Sequence, residues 1–215
     1  MPKIYIFIGP PGSGKGTQSD MLAKKLNIPV ISTGELLRHE VSIGSELGKR
    51  VEKILANGKL VSDRLIDNII EARIDKKDVR KGFVLDGFPR DEKQLKAFLK
   101  MLLKRKIESD DIVVFLIDVS NREVIKRLSG RRVCDCGASY HLLYNPPKKK
   151  GFCDLCGRRV TQRADDKPAV IKDRLNLYHK ETEKLLKKYC EFKNFFRING
   201  EQDIRLIKSE IIKKK

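Results

Sequence analysis

The nine residues Gly9-Pro10-Pro11-Gly12-Ser13-Gly14-Lys15-Gly16-Thr17 fit the pattern G-x-x-x-x-G-K. Glycines let the backbone curl until several N–H groups face one anion, and a helix starting there adds the positive end of its dipole. Pro10 and Pro11 carry no N–H, so the donors must come from later in the loop, over Gly12, Ser13, Gly14, Lys15, Gly16 and Thr17. Lys15 can reach the β- and γ-phosphates of a nucleotide. The hydroxyl residue that usually follows the lysine is replaced by Gly16, with Thr17 one place on. The pattern implies a nucleoside triphosphate and leaves the reaction open. Its bland alternative, a Gly-rich turn, needs six matches in a strand–helix context to be accidental.

A second group of residues has ligand chemistry. Four of the five cysteines, Cys134, Cys136, Cys153 and Cys156, fall close together. The first lines of the chain are too Gly-rich for a secretory signal, so a reducing, cytoplasmic setting is expected and clustered thiols point to metal before disulfides. Four thiolates suit tetrahedral Zn²⁺ in a closed structural site. The spacing C-x-C, then C-x-x-C, is close to a zinc ribbon. The C-x-C step is the tighter geometry. A distorted or weakened site, recruitment of His141, and a metal-free thiol cluster are the alternatives. Cys190 lies in a helical run and is expected to be an ordinary buried thiol.

These residues need a scaffold. With 215 residues the chain has room for one domain with insertions. Ile4–Ile8, Val30-Ile31, Phe83–Leu85, Ile112–Ile117 and Phe195–Ile198 are short apolar runs that predict buried strands. Helical spacing is read over 16–26, 32–41, 51–55, 63–73, 91–106, 122–128, 169–190 and 204–212. Ser32 and Glu35 are spaced as a capping box. The alternation argues for an α/β fold, a parallel five-stranded sheet covered by helices on both faces. Residues 131–167, rich in Cys, Gly, Pro and basic side chains, interrupt it and read as an inserted subdomain. A piece that small lacks a large core, and a metal would staple it.

Lys and Arg number 47 against 29 Asp and Glu, a net charge of +18. An anionic partner (nucleic acid, nucleotide or membrane surface) and a merely solvated Lys-rich surface explain this equally well. No apolar run reaches the ~18 residues that span a bilayer.

With these pieces in view, the chain closely resembles the adenylate kinases, in their long form with a cysteine-bearing lid. The resemblance rests on GPPGSGKGT at 9–17, STGELLR at 32–38, GKLVSD at 58–63, LDGFPR at 85–90 with Gln94, GRR at 130–132, YH at 140–141, NPPK at 145–148, QRADD at 162–166 and DRLNLYH at 173–179. It implies a P-loop NTPase-type core (1–31, 62–129 and 168–215), a helical AMP-binding insertion (32–61) and a zinc-ribbon-like lid (130–167). It implies transfer of the γ-phosphoryl group of MgATP to AMP, giving two ADP, in adenine nucleotide homeostasis.

Residue by residue, the resemblance puts Thr33, Arg38, Lys59, Leu60, Val61, Gly87, Phe88, Pro89, Arg90, Gln94, Arg163 and Arg174 at the AMP site, with a cis peptide before Pro89. It puts the loop residues Gly12–Thr17, Arg131, Ser139, Tyr140 and Gln202 at the ATP site. Lys15, Arg90, Arg127, Arg131, Arg163 and Arg174 are the expected catalytic cations, since phosphoryl transfer spreads negative charge that bidentate guanidinium groups can neutralise. Asp86 is expected near Mg²⁺, through water. Asp165 and Asp166 are expected to brace the arginines and the lid hinge. Arg132, Arg158 and Arg159 read as surface ion-pair residues, and His39, His141 and His179 as structural. The family's zinc-bearing members have two residues between the first cysteines, and this chain has one. Taken by themselves, Thr33 reads as a helix cap, Gln94 as a solvated helix residue and Asp86 as a turn residue. ATP, AMP and ADP are the expected partners of a cytoplasmic monomer without nucleic acid or membrane contacts. A kinase for another base and a zinc-ribbon nucleic-acid binder are the rival readings.

Overall fold

Strand β1 (Lys3–Ile8) sends Ile4, Ile6 and Ile8 to one face and Tyr5 and Phe7 to the other, and both sets are buried. That two-sided burial is the mark of a central parallel strand. The computed structural model describes residues 3–215. In chain order the following elements are α1 (Lys15–Leu26), β2 (Val30–Ser32), α2 (Thr33–Ser42), α3 (Glu46–Ala56), α4 (Asp63–Ile74), β3 (Gly82–Asp86), α5 (Glu92–Lys104), β4 (Ile112–Asp118) and α6 (Asn121–Gly130). Then come β5 (Arg131–Val133), β6 (Ser139–His141), α7 (Pro168–Leu177), α8 (Glu183–Tyr189), β7 (Phe195–Asn199) and α9 (Ile204–Lys213). The five expected strands form one parallel sheet in the order β2-β3-β1-β4-β7.

Each face of the sheet carries its own core. On one, Ile4, Ile6, Leu85 and Val114 pack with Ile70 of α4, Phe98 of α5 and Tyr189 of α8. On the other, Phe7, Phe115 and Ile117 pack with Leu22 of α1, Leu128 of α6, Ile171 of α7 and Ile211 of α9. Each such side chain, fully buried, contributes about 1.5–3 kcal/mol. The register sets Phe7 of β1 beside Asp86 of β3, so the turn after β1 and the end of β3 adjoin at the carboxyl edge. Parallel α/β sheets bind ligands at that edge.

Several local expectations change. The capping box at Ser32 does not form: its hydroxyl instead lies 3.4 Å from Asp86 Oδ2, across the sheet edge. Helix α3 begins at Glu46, well before 51, because Ser45 caps it by accepting the Gly48 N–H at 2.9 Å. The expected single helix over 169–190 is α7 and α8 joined through a π-helical segment, Tyr178–Thr182. Cys190 is exposed at the end of α8, not buried as expected. The inserted subdomain has little regular structure beyond the antiparallel pair β5-β6, and its buried cluster is Cys134, Tyr140 and Cys153.

Candidate active site

The phosphate loop links β1 to α1. Gly12 has φ +77°, and a Cβ there would lie 2.7 Å from Leu128 Cγ, so only glycine fits. At Gly16, where the usual hydroxyl residue is missing, a Cβ would lie 3.3 Å from Asp86 Oδ2, a close but not forbidden approach. Lys15 Nζ donates to the carbonyls of Gly9 and Pro10, both at 2.8 Å, which holds the ammonium over the loop. Pro10 thus serves as an acceptor where it cannot donate. Burial, opposed by Asp86 and reinforced by Arg90, Arg174 and Arg131, lowers the Lys15 ammonium to about 8.

Beside the loop a cleft is lined by Thr33, Arg38, Lys59, Leu60, Val61, Gly87, Arg90, Gln94, Arg163 and Arg174. Ten expected AMP-site residues from four stretches of chain therefore meet in one place. Phe88 and Pro89 support the cleft from behind. The Phe88 ring packs edge-on against Phe98 in the core at 5.5 Å, and the Pro89 carbonyl accepts the buried Tyr189 hydroxyl at 3.2 Å. The Phe88-Pro89 peptide is cis.

The arginines are held by the two aspartates that follow Arg163. Asp166, with no exposed surface, accepts Arg131 Nε and Nη2 at 2.7 and 2.6 Å and Arg174 Nη1 at 3.1 Å. Asp165 accepts Arg163 Nε and Nη2 at 2.8 and 2.5 Å, and Arg174 lies 3.1 Å away. Burial would raise the Asp165 carboxyl, but the Arg163 hydrogen bond and the charges of Arg163, Arg174 and Arg131 hold it at about 2. Burial, then Arg163, lowers Arg38 to about 9. Burial, then Arg131 and Arg163 against Asp165, lowers Arg174 to about 10. All stay cationic at neutral pH. Cations crowded so closely make an electropositive cavity suited to phosphate.

Arg127 lies on the other flank of the loop. It pairs with Glu123 Oε1 at 2.8 Å and donates to the carbonyls of Ser13 at 3.2 Å and Gly200 at 2.9 Å. Gln202, two residues past Gly200, donates to the Asn199 carbonyl at 3.0 Å. The Tyr140 side chain turns into the lid, where its hydroxyl lies 3.4 Å from Cys153 Sγ and accepts the Asp154 N–H at 2.7 Å. Ser139 is exposed beside it. Gln94 is not a solvated helix residue; it is buried, and Asp63 and Asp91 on either side of it were not singled out from the sequence. Their signal was present in the chain only as two helix-start acids.

In the lid, all four sulfurs of Cys134, Cys136, Cys153 and Cys156 lie within 4.8 Å of one another. The Cys134–Cys156 and Cys136–Cys153 pairs are at 3.4 and 3.5 Å. A tetrahedral ion about 2.3 Å from each sulfur needs them about 3.8 Å apart, so the four thiols fit such an ion. The C-x-C step does not draw in His141. Its Nδ1 accepts the N–H groups of Leu143 and Tyr144 at 3.0 and 3.1 Å, and its ring stacks on Tyr144. Arg158 pairs loosely with Asp135, and Arg159 lies over the Phe152 ring. His179 bridges Glu183 and Asn121.

A phosphate loop on the central strand of a parallel sheet, facing an arginine-lined cleft, defines a P-loop phosphotransferase. The family model described as adenylate kinase matches residues 7–194. Relatives named adenylate kinase include those of Methanothrix thermoacetophila, 46% identical over 97% of this chain and 96% of its own, and Methanocella arvoryzae, 43% identical over 96% and 95%. The one from Thermosipho africanus is 42% identical over 96% of both chains. The chain belongs to the adenylate kinase family, and it is accordingly an enzyme, a nucleoside monophosphate kinase.

Proposed function

We propose that the reaction, reversible transfer of the γ-phosphoryl group of MgATP to AMP giving two ADP, runs between the phosphate loop and the arginine cleft. The observation that carries this is the meeting of Arg38, Arg90, Arg163 and Arg174 with Thr33 and Gln94 in one cleft next to Lys15. ATP is held by the N–H groups of Gly12–Thr17 with Lys15, Arg127 and Arg131, and around the nucleoside by Ser139, Gln202 and the backbone at Tyr140, whose side chain is taken up inside the lid. AMP is held by the cleft residues, its phosphate by Arg38, Arg90, Arg163 and Arg174, its adenine by Gln94.

The chain's work is positioning and charge neutralisation. Lys15, Arg90, Arg127, Arg131, Arg163 and Arg174 hold two mutually repelling anions in line and stabilise charge on the oxygens in transit. No general base is needed, because a phosphate monoester with its second pKa near ~6 is largely ionised at pH 7. The Mg²⁺ that accompanies ATP would supply neutralisation of the phosphate charge. Asp86, adjoining Lys15 at the end of β3, fits a role in orienting its waters.

Residues 32–61 form the AMP-binding domain, 130–167 the lid, and 1–31, 62–129 and 168–215 the core. Lid closure encloses the nucleotides beside Arg131 and Arg163 and excludes water. The four lid cysteines, whose sulfurs lie close enough to share one ion, would hold a structural Zn²⁺ that staples this piece and supplies no chemistry. We read the chain as a cytoplasmic monomer acting on free nucleotides. The clustered free thiols suit a reducing compartment, and no helix among the described residues is long and apolar enough to cross a membrane. A coupled assay with MgATP and AMP, CMP, UMP or GMP, beside a salt-dependent RNA titration, tests this reading. Robust ADP formation with UMP or CMP and little with AMP would overturn it.

A further inference from the structure

Gln94 lines the cleft while being only 2% exposed as a residue. A glutamine amide can present oxygen and nitrogen in either order, since a half-turn about its last bond exchanges them. Here the order is forced from outside the cleft. The Arg90 backbone N–H, which can only donate, meets Gln94 Oε1 at 3.0 Å. The Asp63 carboxylate, which accepts, takes Gln94 Nε2–H at 2.9 Å. A turned amide would set a donor against the Arg90 N–H and an acceptor against a carboxylate, leaving buried groups unsatisfied. Both supports are rigid. Asp63 is the first residue of α4, and the Gln94 backbone is held by the α5 cap, Asp91, which accepts its N–H at 2.9 Å.

After these two bonds the amide retains one oxygen lone pair and one N–H. Adenine offers an amino donor at N6 beside the N1 acceptor, and a 6-oxopurine offers the reverse, an O6 acceptor beside an N1–H donor. A free glutamine could turn to suit either. We infer that Asp63 is a specificity-determining positioning residue, which locks the Gln94 amide in the order that accepts a 6-aminopurine monophosphate and rejects a 6-oxopurine one. The inference rests on the cleft being the AMP site.

The test is the ratio of kcat/KM for AMP to that for IMP, whose base lacks the 2-amino group and so differs from adenine at the 6-edge alone. Asp63→Asn can turn together with Gln94. It should lower the ratio at least about tenfold, by raising kcat/KM for IMP as well as lowering that for AMP. Asp63→Ser, able to donate or accept, should do the same and serves if the first variant does not fold. A merely structural role would depress both nucleotides alike and leave the ratio unmoved. A ratio within twofold of the unaltered enzyme in these variants overturns the inference. Gln94→Ala separates the two levels. If it leaves the AMP KM unchanged, the cleft is not the adenine site and the underlying reading fails. If it weakens AMP while the Asp63 variants keep the ratio, only the role of Asp63 is lost.

Discussion

The arginine cleft and the cysteine lid solve opposite problems. The cleft concentrates charge, with Lys15, Arg38, Arg90, Arg131, Arg163 and Arg174 outnumbering Asp86, Asp165 and Asp166, and it can do so because a two-faced apolar sheet stands behind it. The lid has almost no apolar interior, only Cys134, Tyr140 and Cys153 buried together, with Leu143 and Leu155 left exposed. Charge crowding is tolerable where hydrophobic burial supplies the stability. Where burial is missing, a metal held by the four thiols, as proposed, would take its place. Mutations in the two regions should therefore fail differently, the first in turnover and the second in melting.

The largest effect is expected at Lys15. Lys15→Met should lower kcat about 10²–10³-fold, since removing one preorganised group at a developing charge costs about 3–4 kcal/mol. Arg90→Ala should act similarly and also raise the AMP KM. Both should melt near the unaltered enzyme. Near-normal kcat in either variant, by the coupled assay, would break the charge side of the comparison.

Asp166 belongs to both sides, being buried and the anchor of Arg131 and Arg174. Asp166→Ala leaves Arg131 unpaired and Arg174 with Asp165 alone. Unfolding by denaturant should register a loss of about 3–5 kcal/mol, with turnover falling as well. Unchanged stability would mean that the arginines are held by something other than their aspartates.

For the lid, purified protein should contain about one zinc per chain, by the four-thiolate count. A strong chelator, or Cys153→Ser with Cys156→Ser, should lower the melting temperature, because metal-binding energy appears as folding energy. Activity at moderate temperature should largely survive, since Arg131 and Arg163, the catalytic residues within the lid, are anchored by Asp166 and Asp165 and not by the cysteines. Elemental analysis without metal, or a chelated enzyme with unchanged melting and no turnover, contradicts the structural-zinc reading.

The smallest effects are in pH. Lys15 is charged below about 8 and neutral above it, so kcat/KM for ATP, which reports the free enzyme, should decline as pH rises past 8. Lys15→Met should lack that limb. Asp165, depressed to about 2, gives stability that is present above the unfolded carboxylate value and lost as pH falls toward 2. Acid titration followed by circular dichroism should find that loss missing in Asp165→Asn.

Much of this was legible in the chain. The phosphate loop, the five strands and the cysteine pairs are local patterns, set by glycine spacing, apolar runs and sulfur chemistry within a few residues. The resemblance further named residues that do share one cleft. Other features depended on contacts that no local window contains. Arg131 finds Asp166 across 35 residues, Gln94 finds Asp63 across 31, and Ser32 turns toward Asp86 across 54 instead of capping its own helix. Cys190, apolar by type and helical by spacing, is exposed at the end of α8, where its neighbour Tyr189 takes the buried face.

The chain alone thus determined which groups can bind phosphate and sulfur-loving metal, because those capacities reside in side-chain chemistry and short-range backbone geometry. Which partner each buried polar group takes, and so which way the Gln94 amide faces and which aspartate steadies which arginine, was decided only by the tertiary structure. A buried donor or acceptor must pair with whatever the packed sheet and helices bring to it, and that neighbour is fixed by topology and not by sequence distance.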